Sequence, residues 1–297
     1  MSVSGYALSD PDGQSLQGMV AIDGFPLPTF RMEPMQRGEV IKSIRSWTIR
    51  DDDILLATAP KSGTHWAHEI LSMLHRGKAE TISERFTLLE ATTEQEFASA
   101  PSPRVLTSHL PLRLLPDNAI SKIKIVLVLR NPKDLVVSKY HHMLGMRSYD
   151  YTGAFKHFLQ WFLEDKLPYG SWFQYVREME AIMDTEPDRI CMVHYEDLKQ
   201  NGIEQIKKIA QFLSVDADDQ FCQAIYDCCS FENMAVKKLP PKDLQDKIWK
   251  PGCSFYRKGI IGDWKTHFTV AESEMFDEIL AQRMTGSKLK FRFSDRS

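Results

Sequence analysis

Apolar and polar positions along this chain fall into blocks of two different periods. Short, nearly continuous apolar runs occur at 54–58, 104–108, 124–130 and 189–195. Ile125-Val126-Leu127-Val128-Leu129 is the purest of them, and its lack of alternation predicts a strand covered on both faces. Between the runs, apolar residues recur every three or four positions, which predicts helices over 64–76, 132–145, 153–165, 171–184, 202–213, 217–228 and 271–283. Strands alternating with helices predict an α/β fold, a single three-layer α/β/α domain around a central, mainly parallel sheet. Asn131-Pro132 reads as a helix entry, with Asn as the cap and Pro where its missing N–H costs nothing. Residues 1–35, rich in Gly, Pro, Ser and Asp, read as a flexible tail and an extended segment around Phe25-Pro26-Leu27-Pro28, leaving 36–297 as the domain. Residues 237–262 read as a long basic loop without periodicity, a length that marks either function or disorder.

Composition narrows the partners. A chain of 297 residues with 43% hydrophobic and 26% charged residues can bury a sizeable core. A formal charge of −3 gives no reason to expect nucleic acid, so any anion site must come from local placement. No stretch reaches the length of a membrane span and no secretory signal pattern opens the chain, so a cytoplasmic protein without a membrane partner is expected. Five cysteines without a CxxC pair read as free thiols, with Cys191 in the core, and the scattered histidines offer no zinc spacing, so no metal is expected.

The most informative segment is Ala59-Pro60-Lys61-Ser62-Gly63-Thr64-His65-Trp66. A strand, a tight turn and a helix start in succession make an anion site, because backbone N–H groups and the helix dipole point at the ligand. Taken alone, Lys-Ser-Gly-Thr equally suits an ordinary strand-to-helix turn. It is not a nucleotide-triphosphate loop: Lys61 precedes Gly63, no glycine opens the turn, and the strand over 124–130 ends in Arg130 where an Mg²⁺ site needs Asp. ATP hydrolysis is therefore disfavoured. Lys61 and Arg130 both fall at carboxyl ends of predicted strands, where open α/β sheets bind ligands. Ser138 lies two turns into the following helix, and Arg257-Lys258-Gly259 adds a third basic feature. Each alone is more often a solvated surface charge.

Together these motifs resemble the cytosolic sulfotransferase family, which moves a sulfuryl group from 3′-phosphoadenylyl sulfate (PAPS) to a hydroxyl or amine. The first motif resembles that family's 5′-phosphosulfate loop, and Arg130-Asn131-Pro132-Lys133-Asp134 with Ser138 resembles its 3′-phosphate site. Arg257-Lys258-Gly259-Ile260-Ile261-Gly262-Asp263-Trp264-Lys265 resembles its C-terminal nucleotide clamp. The resemblance covers about residues 40–290 and implies a PAPS-dependent transferase of the EC 2.8.2 kind, releasing adenosine 3′,5′-bisphosphate (PAP), with no metal. It implies that Lys61, Ser62, Gly63, Thr64, His65 and Trp66 cradle the phosphosulfate, with Lys61 stabilising the leaving group. Trp66 and Phe231 would stack on adenine and Tyr195 would contact its edge. Arg130, Ser138, Arg257, Lys258 and Gly259 would hold the 3′-phosphate, with Ser230, Phe255 and Tyr256 completing the nucleotide site. His109, in Thr107-Ser108-His109-Leu110-Pro111, matches the family's general base, although a lone histidine after a β run is more often structural. The chain departs from the family at Thr107 (commonly lysine), His65 (commonly threonine), Cys229 (where a threonine that contacts adenine is common) and Ala59 (frequently aromatic).

Lys265, Thr269, Val270 and Glu274 resemble the family's short dimer motif, which implies a homodimer through a strand-like patch; the alternative is a loop that caps a helix near Glu272 through Thr269. Candidates for the wall of a small-molecule acceptor site are Phe25, Phe30, Phe86, Tyr140, His142, Met146, Tyr149 and Trp249, an aromatic set suited to an apolar alcohol or phenol. Two rival readings stand beside transfer. One is a protein of the same fold that binds the nucleotide but has lost transfer, and the other is a nucleotide kinase or NTPase; a related possibility is an enzyme that sulfates an alcohol only as a step toward its elimination.

Overall fold

The structure, a computed structural model, describes residues 2–29, 32–81 and 88–295. Among them run the strands β1 (Val3–Ser9), β2 (Ser15–Ile22), β3 (Phe25–Pro28), β4 (Ile54–Thr58), β5 (Val105–Ser108), β6 (Lys124–Leu129) and β7 (Ile190–His194). The helices are α1 (Pro34–Ser43), α2 (Thr64–Arg76), α3 (Glu94–Ser99), α4 (Ala119–Lys122), α5 (Pro132–Gly145), α6 (Phe155–Leu163) and α7 (Trp172–Thr185). They continue with α8 (Tyr195–Gln200), α9 (Gly202–Leu213), α10 (Asp219–Cys228), α11 (Phe231–Lys237), α12 (Lys242–Ile248) and α13 (Val270–Arg283). Contacts group these elements into two interleaved units.

The sheet unit comprises Ser43–Arg130 and Ala181–Leu239. Its four strands lie in the order β5-β4-β6-β7 and all pair in parallel, with Leu55 opposite Leu106 and Ile125, and Leu127 opposite Met192. Every residue of β4 is buried, as is every residue of β6 after Lys124, which is why these strands read as continuous apolar runs. Leu56, Leu71, Val126, Val128, Val193, Ile206 and Ile225 belong to one core cluster, so α2, α9 and α10 bury their apolar stripes on this sheet. Because the strands are parallel, their carboxyl ends share one edge. The chain leaves β4 for β5 on one side and β6 on the other, so the strand order reverses at β4, where such sheets open a crevice.

The other unit comprises Met1–Lys42, Asn131–Glu180 and Pro240–Ser297. Here the structure departs from the expected tail. Residues 3–28 form an antiparallel meander, β1-β2-β3, with Val3 opposite Ile22 and Val20 opposite Leu27. Asp23 and Gly24, both at positive φ (47° and 79°), join β2 to β3 in a two-residue turn whose twist suits a hairpin. Pro26 and Pro28 are tolerated because β3 is an edge strand. Asn131 does cap α5, its side chain accepting from Asp134 N at 2.8 Å. The expected loop over 237–262 contains α12, a short polar helix after Pro241 with no apolar stripe to betray it. Nor is the expected dimer segment strand-like: a 3₁₀ turn, Asp263–Thr266, leads into α13. Thr269 and Glu272 close a capping box on its first turn at 3.2 and 2.8 Å.

Candidate active site

Each strand of the sheet unit is followed within three residues by a candidate site residue. After β4 the chain turns through Ala59 and Pro60 into Lys61, whose φ of +74° is unusual for a side chain other than glycine. Ser62 is fully buried, and among the described residues its Oγ has no hydrogen-bond partner. Gly63 follows at φ +96° and serves as the N-cap of α2. A Cβ there would lie 2.7 Å from Tyr195 Cδ2, so only glycine satisfies both the backbone and the ring. The first N–H groups of a helix find no acceptor within it, so a turn that ends on a helix start can receive an anion.

His109 follows β5 and is 9% exposed. Its Nδ1 lies 2.8 Å from the Thr58 carbonyl oxygen. A carbonyl only accepts, so in the neutral ring Nδ1 carries the proton and Nε2 holds the lone pair. Thr58 Oγ1, 3.1 Å from the same nitrogen, also meets Thr64 Oγ1 at 2.9 Å, linking His109 to the start of α2. The main chain of His109 is held by Glu90, a fully buried carboxylate on a 3₁₀ turn. Its Oε1 accepts from His109 N at 3.0 Å, and its Oε2 accepts from Ser108 Oγ at 2.8 Å. No local motif marks Glu90 in the sequence; a pairing 18 or 19 residues apart emerges only in three dimensions.

Arg130, after β6, is 8% exposed. It donates from NH1 to the Lys61 carbonyl oxygen at 3.0 Å and lies over the Tyr195 ring at 4.4 Å from its centroid. Tyr195 opens α8 directly after β7 and meets Trp66 edge to face at 5.7 Å. One arginine, one tyrosine and one tryptophan thus rest on each other behind the Lys61 turn. Ser230 caps α11, accepting from Asn233 N at 3.3 Å, and Phe231 is the first residue of that helix.

The departures from the family pattern have physical settings. Thr107 is fully buried, with Oγ1 3.2 Å from His68 Nδ1. Burial, and then the Lys238 charge, push His68 down to about 4, so it is neutral near pH 7. His65 is held well below the usual histidine range by burial first and by Lys61 next. Lys238 pairs with the buried Glu69 at 2.5 Å. Cys229 packs in the core beside Met73, and burial raises its thiol. Cys191 is in the core as expected.

In the other unit, Arg257 and Lys258 both contact Asp263, and Gly259 has φ +64°. Ser138 is half-buried on α5. Part of the expected acceptor wall assembles: His142 meets Trp249, Phe255 and Tyr149 at ring distances of 5.3, 5.9 and 6.4 Å. Met146 bridges to Trp249. Phe255, expected in the nucleotide site, therefore sits among the acceptor candidates. Tyr256 adjoins it, with rings 5.4 Å apart. Tyr149 is 3% exposed, and burial raises its phenol. Tyr140 goes elsewhere: it packs on Phe155 and Phe158 and donates to the Gly153 carbonyl oxygen at 3.0 Å. Phe25 lies against Gly170, where an added Cβ would stand 3.1 Å from its ring. Phe30 and Phe86 lie outside the described residues. Among the described residues, no helix is long and apolar enough to cross a membrane.

Comparison with known proteins fits this geometry. Residues 51–288 match the family described as Sulfotransferase domain. Sulfotransferase 1A1 of Mus musculus is 35% identical over 292 residues, covering 92% of this chain and 97% of its own length. Sulfotransferase 1E1 of Bos taurus is 35% identical over 271 residues, covering 86% and 90%. Among solved structures, mouse sulfotransferase SULT7A1 complexed with PAP aligns with a TM-score of 0.76 and 27% identity over 91% of this chain and 95% of that one. Retinol dehydratase shares the fold, with a TM-score of 0.79 over 98% of each chain at 18% identity.

Proposed function

The chain belongs to the sulfotransferase family, and from that premise we propose how it acts: His109 takes the proton of an acceptor hydroxyl or amine while Lys61 meets the charge on the leaving group. It is a PAPS-dependent transferase of the EC 2.8.2 kind. The acceptor oxygen attacks sulfur in line, its proton passes to His109 Nε2, and the bond from sulfur to the phosphate oxygen breaks to release PAP. The observation that carries this reading is the 2.8 Å bond from His109 Nδ1 to the Thr58 carbonyl, which leaves Nε2 as the basic nitrogen. Glu90 acts through the backbone of His109 as a positioning residue.

Lys61, the turn over the buried Ser62 and Gly63, and the N–H groups of Thr64, His65 and Trp66 receive the phosphosulfate. Preorganised donors of this kind supply much of the rate, because they need not reorient as charge develops. Trp66, Tyr195 and Phe231 take the adenine, and Ser230 fixes Phe231 by capping its helix. To the 3′-phosphate we assign Arg130, Ser138, Arg257, Lys258 and Gly259, and to the nucleotide also Tyr256.

The acceptor is a small, apolar or aromatic molecule met by His142, Tyr149, Trp249 and Phe255, whose rings already lie together, and by Met146, which bridges to Trp249. We place the protein in the cytoplasm as a homodimer through residues 265–274, a reading supported by Val270, 75% exposed on the first turn of α13. Transfer of labelled sulfate from PAPS to a panel of phenols, sterols and amines tests the function. Labelled product is expected; tight PAP binding without product on any acceptor would favour a nucleotide-binding protein without transfer.

A further inference from the structure

Asp263 is 3% exposed at the start of the 3₁₀ turn that follows the basic clamp. Its two carboxylate oxygens each take a different cation. Oδ2 accepts from Arg257 NH2 and Oδ1 from Lys258 Nζ, both at 2.5 Å. The side chains of Arg257 and Lys258 remain 28% and 44% exposed, so a buried carboxylate grips two cations that still reach solvent. Each keeps further donors beyond the one Asp263 uses. Burial alone would raise the Asp263 carboxyl, but hydrogen bonds from Lys258 and Arg257, and their charges, hold it below its ordinary value.

The turn is itself anchored. Asp134, 1% exposed in the first turn of α5, accepts from Gly262 N at 2.7 Å, Trp264 N at 2.9 Å and Asn131 Nδ2 at 2.9 Å. Two buried carboxylates in series therefore fix the clamp to the helix that carries Ser138.

The geometry points to Asp263 as the positioning residue that sets Arg257 and Lys258 one on each oxygen and so gives the chain its preference for a nucleotide bearing a 3′-phosphate. This rests on the reading that those two cations hold that phosphate. Coulomb's law alone gives the opposite sign, since removing a carboxylate beside an anion site should tighten anion binding. Positioning reverses it. Without Asp263, two long cationic side chains repel each other, and ordering them falls on the binding step.

The test is titration calorimetry on the full chain with two probes, adenosine 3′,5′-bisphosphate and adenosine 5′-phosphate. Asp263→Asn should bind the bisphosphate about tenfold more weakly, as when an oriented charge-assisted contact is lost, and the monophosphate within about twofold of wild type. Asp263→Glu keeps the charge but displaces it, and should show the same selective loss. In an Arg257→Gln/Lys258→Gln background, adding Asp263→Asn should leave the ratio of the two affinities unchanged, because the residue acts through those cations. Tighter bisphosphate binding, or equal weakening of both probes, overturns the proposal. A wild-type ratio in Arg257→Gln/Lys258→Gln itself overturns the 3′-phosphate reading beneath it, and the proposal with it.

Discussion

Replacing Gly63 by alanine separates two costs that the Lys61 turn imposes. The first is backbone strain: at φ +96° an L-residue with a Cβ is disfavoured by about 1–2 kcal/mol. The second is collision, since the new Cβ would lie 2.7 Å from Tyr195 Cδ2. Ordinary carbon contacts lie at about 3.5–4.0 Å, so the ring must withdraw by about 1 Å. Tyr195 carries Arg130 on its face and Trp66 on its edge, so that movement disturbs the guanidinium that holds the Lys61 carbonyl. Forced repacking of this kind costs about 1–3 kcal/mol, for a total of about 2–5 kcal/mol. Gly77, at the other end of α2, is the control: φ is +65° and nothing lies within 4 Å of an added Cβ, so Gly77→Ala reports strain alone. Urea denaturation of both variants should show Gly63→Ala costing more by the repacking share. Its kcat/KM should also fall by about 10²-fold, the penalty of a 1 Å misplacement in a catalytic site. Equal stability of the two variants, with near wild-type turnover in Gly63→Ala, would refute the reasoning.

Glu90→Gln exchanges two charge-assisted hydrogen bonds for weaker neutral ones, one of which must reverse direction at Ser108. Stability should fall by about 1–3 kcal/mol and kcat by more than KM changes, measured by denaturation and steady-state kinetics; an unchanged kcat would remove Glu90 from the positioning of His109. Lys139 is 4% exposed, its Nζ donates to the Pro168 carbonyl at 2.8 Å, and burial pushes it down to about 7. Between pH 7 and about 10 the unfolded chain binds this proton more tightly than the folded one, so folding stability should rise with pH, by up to about 1.4 kcal/mol per unit. Denaturation at pH 7, 8 and 9 should show that slope in wild type and a flatter one in Lys139→Met; parallel slopes would contradict it.

The parallel sheet was legible because strands buried on both faces leave unbroken apolar runs. β4 begins and ends where the pattern predicts, and β5, β6 and β7 differ by a residue at one or both ends. The amino-terminal meander was obscured by its Gly, Ser and Pro content, although Asp23-Gly24 between Ile22 and Phe25 is a strong hairpin signal. The turn at Lys61 and the residues that follow the strands were legible in position, because a strand, a tight turn and a helix start leave a short local motif. Nothing local marks Glu90 or Asp263, since their partners are brought together only by the fold or a turn. Tyr140 and His142 stand two apart on α5, so their side chains point in nearly opposite directions. Their ring partners in α5's surroundings are indeed different.

The central claim is that His109 removes the acceptor proton while Lys61 meets the charge on the leaving phosphate. Single-turnover transfer of labelled sulfate from PAPS, run with His109→Ala and Lys61→Ala beside wild type and with PAP affinity measured for each, tests it most directly. His109→Ala should bind PAP as wild type does, yet transfer about 10²–10⁴-fold more slowly. Lys61→Ala should lose both rate and affinity. Wild-type transfer by His109→Ala would contradict the account, whatever Lys61→Ala does.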